Sequence, residues 1–262
     1  MDTIYKNCIC FDPLFYRILQ PYKEADDMTN EAINTAFAEL STPLVADACL
    51  RLDVPYRVAP PGVRPVIAGT RLAGRARPAR HYGSVDVFLE AMTTAAPGDV
   101  LVIDNGGRTD EACIGDLTAL EARASGIAGM VAWGLHRDTT ELIEIGFPVF
   151  SYGAFSSGPR RLDPQEPDAL VTARFGPLTI TPDDAVFADD DGVLFAPFQH
   201  AEQLLETARE IWQTERRQAD AIAQGNTLFD QLRFADYLAR RATDPSYSFR
   251  QHLRALGGAI EE

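Results

Sequence analysis

Arginine and aspartate stand side by side at Arg137-Asp138, inside the stretch GMVAWGLHRDTTELIEIGFPVF, where an apolar run stops at a glycine and a helical pattern begins. A guanidinium can hold a carboxylate or an enolate oxygen bidentately, and an adjacent carboxylate can ligate a divalent cation. A plainer reading is that Asp138 caps the helix TTELIEIG and Arg137 is a surface residue. Spacing alone leaves the two level. Position favours chemistry, because α/β folds bind ligands in crevices at the C-terminal ends of their strands. The second candidate is Gly115-Asp116, which opens the helical segment GDLTALEARASG. The unpaired N–H groups of such a helix start bind a carboxylate or phosphate without a cationic side chain. Asp116 as a cap and Gly106-Gly107 as a simple turn are the alternatives. No G-x-G-x-x-G opens a helix, so the dinucleotide fingerprint is absent.

Other groups carry less. Arg77, Arg80 and His81 in RPARHYGSVD could bind an anion, but a solvated loop is the expectation. His136 is read as a neighbour of Arg137, and His200 and His252 fall in helical regions with no visible partner. The DDDG run at 189–192 lacks the bidentate glutamate of a calcium loop and reads as a turn between strands. No nucleophile elbow, P-loop or C-x-x-C is present.

The elements that must position these residues follow from periodicity. Residues 1–30 read as an N-terminal arm with a short helix at PLFYRIL. NEAINTAFAEL has helical spacing, and STPLVADACLRL starts a helix with Thr42 as cap and Pro43 at its first position. Strand-like pieces lie at PVIAG and TRLAGRAR. SVDVFLEAMTTA is a helix capped by Ser84, GDVLVIDNGG a buried strand running into glycines, IAGMVAW and FPVFSYG further strands. Strands and helices alternating at this pace indicate an α/β core. Residues 31–199 are expected to form it, the part from 167 to 197 being short strands and turns. Residues 200–262 read as a helical extension whose stripe of Leu204, Leu205, Ala208, Ile211 and Trp212 must be buried. If the core is complete by Pro197, that stripe packs across a subunit interface; folding back on its own subunit is the alternative.

Composition sets the partners. The 262 residues are 46% hydrophobic and 24% charged, with a formal net charge of −14. Such a field repels nucleic acid and anionic membrane, and a small anionic ligand needs a local cation. No apolar run is long enough to span a bilayer and MDTIYKNCIC is no signal peptide. Cys8, Cys10, Cys49 and Cys113 read as reduced thiols, which implies the cytoplasm.

Taken together, LSTPLVADACLRL, IAGTRLAGRA, APGDVLVIDNGG, ACIGDLTALEARASGIAGMV, GLHRDTTELIEIGFPVFSYG and TPDDAVFADDDGVLFAP resemble, in order and spacing, the RraA-like family. That family joins divalent-metal-dependent 4-hydroxy-4-methyl-2-oxoglutarate/4-carboxy-4-hydroxy-2-oxoadipate aldolases with non-catalytic regulators of ribonuclease E. The resemblance covers about 40 to 197. It implies an α/β/β swivelling domain, here with an N-terminal arm and a helical C-terminal extension, assembled as a homotrimer or homohexamer. It further implies Mg²⁺ or Mn²⁺ on Asp138 and Arg137 at the keto or enolate oxygen of a pyruvyl unit. The backbone amides around Gly115, Asp116, Leu117 and Thr118 would hold the pyruvyl carboxylate, with Asp116 and a water as proton relay. The implied activity is a lyase cleaving a C–C bond of a 2-oxo (di)acid through a pyruvate enolate. A regulator binding a protein partner such as a ribonuclease is the rival, and retention of Asp116, Arg137 and Asp138 argues against it. Methyltransferase labels also occur in the family, but no glycine-rich cofactor loop supports one here. Aldolase members usually read Asp-Gly-x-Val-Arg-Asp where this chain has Trp133-Gly134-Leu135-His136-Arg137-Asp138, so Trp133 and His136 are expected to reshape the surroundings of the site.

Overall fold

The computed structural model describes residues 28–256. The short helix expected at PLFYRIL and the Cys8-x-Cys10 pair lie outside the described residues. Helix α1 (Asn30–Phe37) starts where Thr29 accepts the Ala32 N–H. Helix α2 (Thr42–Leu52) begins one residue earlier than a Thr42 cap requires: Ser41 occupies the cap position and Thr42 is already helical. The reason is tertiary. Buried Asp189 accepts both the Thr42 N–H and the Thr42 hydroxyl at 2.7 Å, so a carboxylate 147 residues away does the capping.

The strands are β1 (Arg57–Val58), β2 (Arg64–Pro65), β3 (Leu72–Arg80), β4 (Val100–Asp104), β5 (Ala112–Ile114), β6 (Gly129–Trp133), β7 (Leu135–His136) and β8 (Val149–Ser151). They continue with β9 (Ala173–Phe175), β10 (Leu178–Ile180), β11 (Asp184–Asp189) and β12 (Gly192–Pro197). Between them run α3 (Asp86–Thr93), α4 (Asp116–Ala124) and α5 (Thr139–Ile145). One eight-stranded sheet has the order β1-β12-β11-β3-β4-β6-β8-β2. Its centre, β3-β4-β6-β8, is parallel, and β11, β12, β1 and β2 add antiparallel flanks. Every residue of β4 is buried, as expected of a parallel strand covered on both faces. Two local differences from the sequence reading stand out. PVIAG is largely a turn, its Gly69 N–H held by the Asp190 carboxylate. Ser84 does not cap α3, whose cap position is Val85 with no side-chain bond.

After a 3₁₀ turn at Phe198–His200, the chain forms α6 (Ala201–Ala223), α7 (Leu228–Gln231), α8 (Phe234–Thr243) and α9 (Phe249–Leu256). The core is not complete at Pro197. Leu204, Leu205, Ala208 and Ile211 are buried against α1, α2 and β11 of the same chain, with Trp212 packed at the edge. The stripe therefore does not wait for a neighbour: α6 closes its own domain. A different cluster forms beyond it, where Phe234, Tyr237 and Phe249 pack ring to ring at 5.0–5.6 Å. His252 belongs to it and has a partner after all, the Leu232 carbonyl at 2.8 Å from Nε2. Among the described residues no helix is long and apolar enough to cross a membrane.

Candidate active site

The short strands β5 and β7 set the site. They run parallel, pairing Ala112 with Leu135 and Ile114 with His136, and the Arg137 N–H donates to the Ile114 carbonyl at 3.0 Å. Their C-terminal ends therefore leave the sheet side by side. One continues into Gly115-Asp116 and α4, the other into Arg137-Asp138 and α5. Two motifs 22 residues apart in sequence meet there because their strands pair in parallel, with a one-residue bulge between Ala112 and Ile114.

Asp138 sits at the cap position of α5 but its side chain makes no capping bond. Its backbone is left-handed, φ 58°, a conformation that aspartate tolerates better than most residues. The carboxylate lies toward the start of α4. Oδ2 lies 3.3 Å from Arg137 Nε and 3.5 Å from the Asp116 N–H. Gly115 is extended, so its need for glycine is spatial: a Cβ there would stand 2.3 Å from Asp138 Oδ2 and 3.2 Å from Arg137 Cγ. Gly158 gives way to Arg137 likewise, since a Cβ would come within 2.9 Å of Nη1. Asp116 is the first helical residue, with Gly115 in the cap position, and its Oδ1 accepts the Leu117 N–H at 2.7 Å. Gly115, Asp116, Leu117, Thr118 and Arg137 all line one small crevice, walled by Val85 and Pro159. The sequence-predicted residues are thus together, with half of the Arg137 side chain and a third of that of Asp138 exposed.

The surroundings hold corrections. His81, expected in a solvated loop, is buried, and it lines the same crevice. The physical reason is that the chain beyond β3 follows β4, the His81 N–H donating to the Asp104 carbonyl at 2.8 Å, while the ring stacks on Phe88 at 5.1 Å. Burial holds the imidazole below its ordinary pKa, Asn105 opposing and the Arg161 charge reinforcing that trend. Arg80 and Arg77 are no loop residues either: Arg80 pairs with Glu166 and Asp168, and Arg77 with buried Asp99. Trp133 and His136 do not line the crevice. Trp133 lies beneath the glycine turn, where a Cβ on Gly107 would meet its ring at 2.7 Å. His136 bonds Ser151 Oγ at 2.6 Å and Thr139 Oγ1 at 3.0 Å, and burial lowers its pKa. Cys113 is at the crevice too, but burial pushes its thiol up to about 12, so it is no nucleophile.

Sequence reasoning missed a buried polar chain beside the site. Glu111 accepts from Arg161 Nε and Nη2 at 3.0 Å, Arg161 Nη2 donates to Asn105 Oδ1 at 2.9 Å, and Asn105 Oδ1 faces His81 Nδ1 at 2.9 Å. Asn105 directly follows the buried strand in VLVIDNGG, which was the available signal. A larger cavity of about 250 Å³ adjoins, lined by His81, Asn105, Arg108, Arg161 and Arg174 among others. Asp104, Asp163 and Glu166 line it as well, and its arginines are ion-paired: Arg80 with Glu166, Arg108 with Asp110, Arg161 with Glu111 and Arg174 with Asp104.

A family model described as RraA-like, Aldolase/RraA, matches residues 42–195. The chain belongs to the RraA-like family. The mixed α/β fold resembles several solved structures, RraA proteins among them. One, an uncharacterized Pseudomonas syringae protein, superposes with a TM-score of 0.63 at 29% identity, covering 76% of this chain and 95% of its own. Another is Streptomyces coelicolor RraAS2, described as an unusual member of the RNase ES inhibitor RraA family. It has a TM-score of 0.58 at 25% identity and covers 70% and 94%. Among RraA-like relatives, a Halalkalibacterium halodurans protein provisionally named 4-hydroxy-4-methyl-2-oxoglutarate aldolase is 29% identical over 65% of this chain and 78% of its own. Legionella pneumophila DlpA is 35% identical over 49% of this chain, which spans only 21% of DlpA.

Proposed function

We propose that this RraA-like chain is a divalent-metal-dependent lyase that cleaves a C–C bond of a 2-oxo (di)acid through a pyruvate enolate. The observation that carries the reading is the meeting of Arg137-Asp138 and Gly115-Asp116 at the paired ends of β5 and β7. Amides at the start of α4 point a partial positive charge at a carboxylate. Gly115, Asp116, Leu117 and Thr118 are assigned that contact. Arg137 is assigned the 2-oxo oxygen, where negative charge grows as the bond breaks. Asp116, with a water, is assigned the proton at the methyl carbon.

Among the described residues no group of three or more His, Cys, Asp or Glu side chains is arranged to hold a metal ion. The residues present fit a cation that keeps most of its waters, Mg²⁺ or Mn²⁺, on Asp138, which does not line the crevice itself but whose partly exposed carboxylate lies beside its lining residues Arg137 and Asp116. When bound, such an ion stabilises a developing oxyanion and acidifies water. The expected assembly is a homotrimer or homohexamer, as the family resemblance implies.

A panel of 4-hydroxy-2-oxo acids assayed for pyruvate release, with Mg²⁺, Mn²⁺ or excess EDTA, tests the reading. Metal-dependent release supports it, and full activity in EDTA removes the metal. The likeness to RraAS2 supports a second reading, a non-catalytic regulator binding a ribonuclease. No release from any 2-oxo acid, together with inhibition of a ribonuclease by the added chain, would select it.

A further inference from the structure

Arg160 is exposed and has neither an ion pair nor a hydrogen bond among the described residues. The arginines lining the 250 Å³ cavity are already ion-paired, and Arg137 has Asp138 beside it. The chain on both sides fixes where Arg160 stands. The Phe155 N–H donates to the His136 carbonyl at 2.7 Å and the Ala112 N–H to the Ser157 carbonyl at 2.8 Å, so this segment runs along β7 and β5. Gly158 then lies against Arg137 Nη1, and Pro159 walls the crevice. Arg161 follows, clamped by Glu111. Arg160 thus leaves the chain between two anchors, its Cα about 3.8 Å from that of a crevice residue.

Arg160 and Gly158 line a further cavity of about 530 Å³. Arg137 lines the crevice and touches Gly158, so its guanidinium stands at the border of crevice and cavity. The acids lining this cavity, Asp110 and Glu111, are held by Arg108 and Arg161. Arg160 is the cation here that an incoming carboxylate can occupy without breaking an ion pair. In a chain of net charge −14, whose field repels small anions, such a local cation is what an acidic ligand needs.

We propose that Arg160 binds the carboxylate that the substrate carries on C4, which makes the chain selective for 2-oxo diacids over monoacids. The assignment rests on the lyase reading above. The pyruvyl half occupies the α4 start and Arg137, and the leaving half extends past Gly158 into the adjoining cavity. A planar guanidinium holds a carboxylate by two parallel N–H···O bonds. That contact is made in the ground state and the transition state alike, so its loss appears in KM.

Two substrates that differ only at C4 isolate the contact: 4-hydroxy-2-oxoglutarate has a carboxylate there and 4-hydroxy-2-oxopentanoate a methyl group. The full chain with Mg²⁺ is assayed for pyruvate release from each. We expect the wild type to prefer the diacid, and Arg160→Gln to lose ~10–10²-fold in kcat/KM on it, mainly through KM. On the monoacid the same variant should fall by less than about threefold. Arg160→Lys keeps the charge without the fork and should recover part of the loss. Wild-type indifference between the two substrates, preference for the monoacid, or equal losses on both would overturn the assignment. If no 4-hydroxy-2-oxo acid is cleaved, the lyase reading falls and takes this contact with it; cleavage with an inert Arg160 removes this contact alone.

Discussion

Gly115 and Asp138 leave no room between them. Alanine suits the extended backbone of Gly115, yet its Cβ would stand 2.3 Å from Asp138 Oδ2. Gly115→Ala should therefore fold normally and displace the carboxylate, costing ~10²-fold in turnover; unchanged turnover with an unchanged melting temperature would break the link between the two residues. Asp138 is best tested by asparagine, which also tolerates a left-handed backbone but carries no charge. Asp138→Asn should abolish EDTA-sensitive cleavage while circular dichroism stays as in the wild type. Arg137→Lys keeps charge and loses the two-pronged geometry, so it should not rescue, at a cost of ~10²–10³ in kcat. Near wild-type turnover of the lysine variant would make Arg137 a bystander. These residues were legible because each motif is contiguous and opens a helix. His81 was not, since nothing local in RPARHYGSVD tells that the loop turns inward along β4.

At the scale of elements, the alternation of strand and helix was readable because period and glycine punctuation are local. What failed was set from afar. Thr42 reads as a cap, but Asp189 takes that role, and the DDDG turn read as bland carries the residue that does so. Thr42→Val removes one of the donors to a buried carboxylate and should destabilise the fold by about 1–3 kcal/mol. The urea midpoint would report it, and kcat should not move. A midpoint equal to wild type would show that the tie is incidental. The apolar stripe of α6 was readable; its destination was not, because periodicity shows that a face is buried without naming what covers it.

For the whole molecule, two buried imidazoles shape acid stability. His81 and His136 both have folded pKa values lowered from 6.5 by burial. As pH falls through about 6.5 the unfolded chain takes up protons that the folded chain refuses, so stability declines from there until the lowered values are reached. Chemical denaturation at pH 8, 7, 6 and 5.5 should show the loss setting in below pH 7. His136→Gln should reduce it, and a flat profile would mean that neither ring stays neutral. Truncation probes the helical end. A chain stopped after Gly225 should remain folded, whereas one stopped after His200 loses Leu204, Leu205, Ala208 and Ile211 from the core. At roughly 1.5–3 kcal/mol for each large side chain, that deficit is comparable with the whole stability of a domain.

The same closure has a consequence during synthesis. The cluster joining α1 and α2 to β11 and α6 runs from Ile33 to Ile211 in sequence. Its first helices leave the ribosome with an apolar face that no nearby segment can cover. At typical elongation rates they wait roughly ten to thirty seconds for Ile211 to follow. Nascent chains stalled before Ile211 should be cut by protease within α1 and α2, and chains stalled well after it should resist. Domain closure is then a timed event, and the interval before it is when this chain most needs a chaperone.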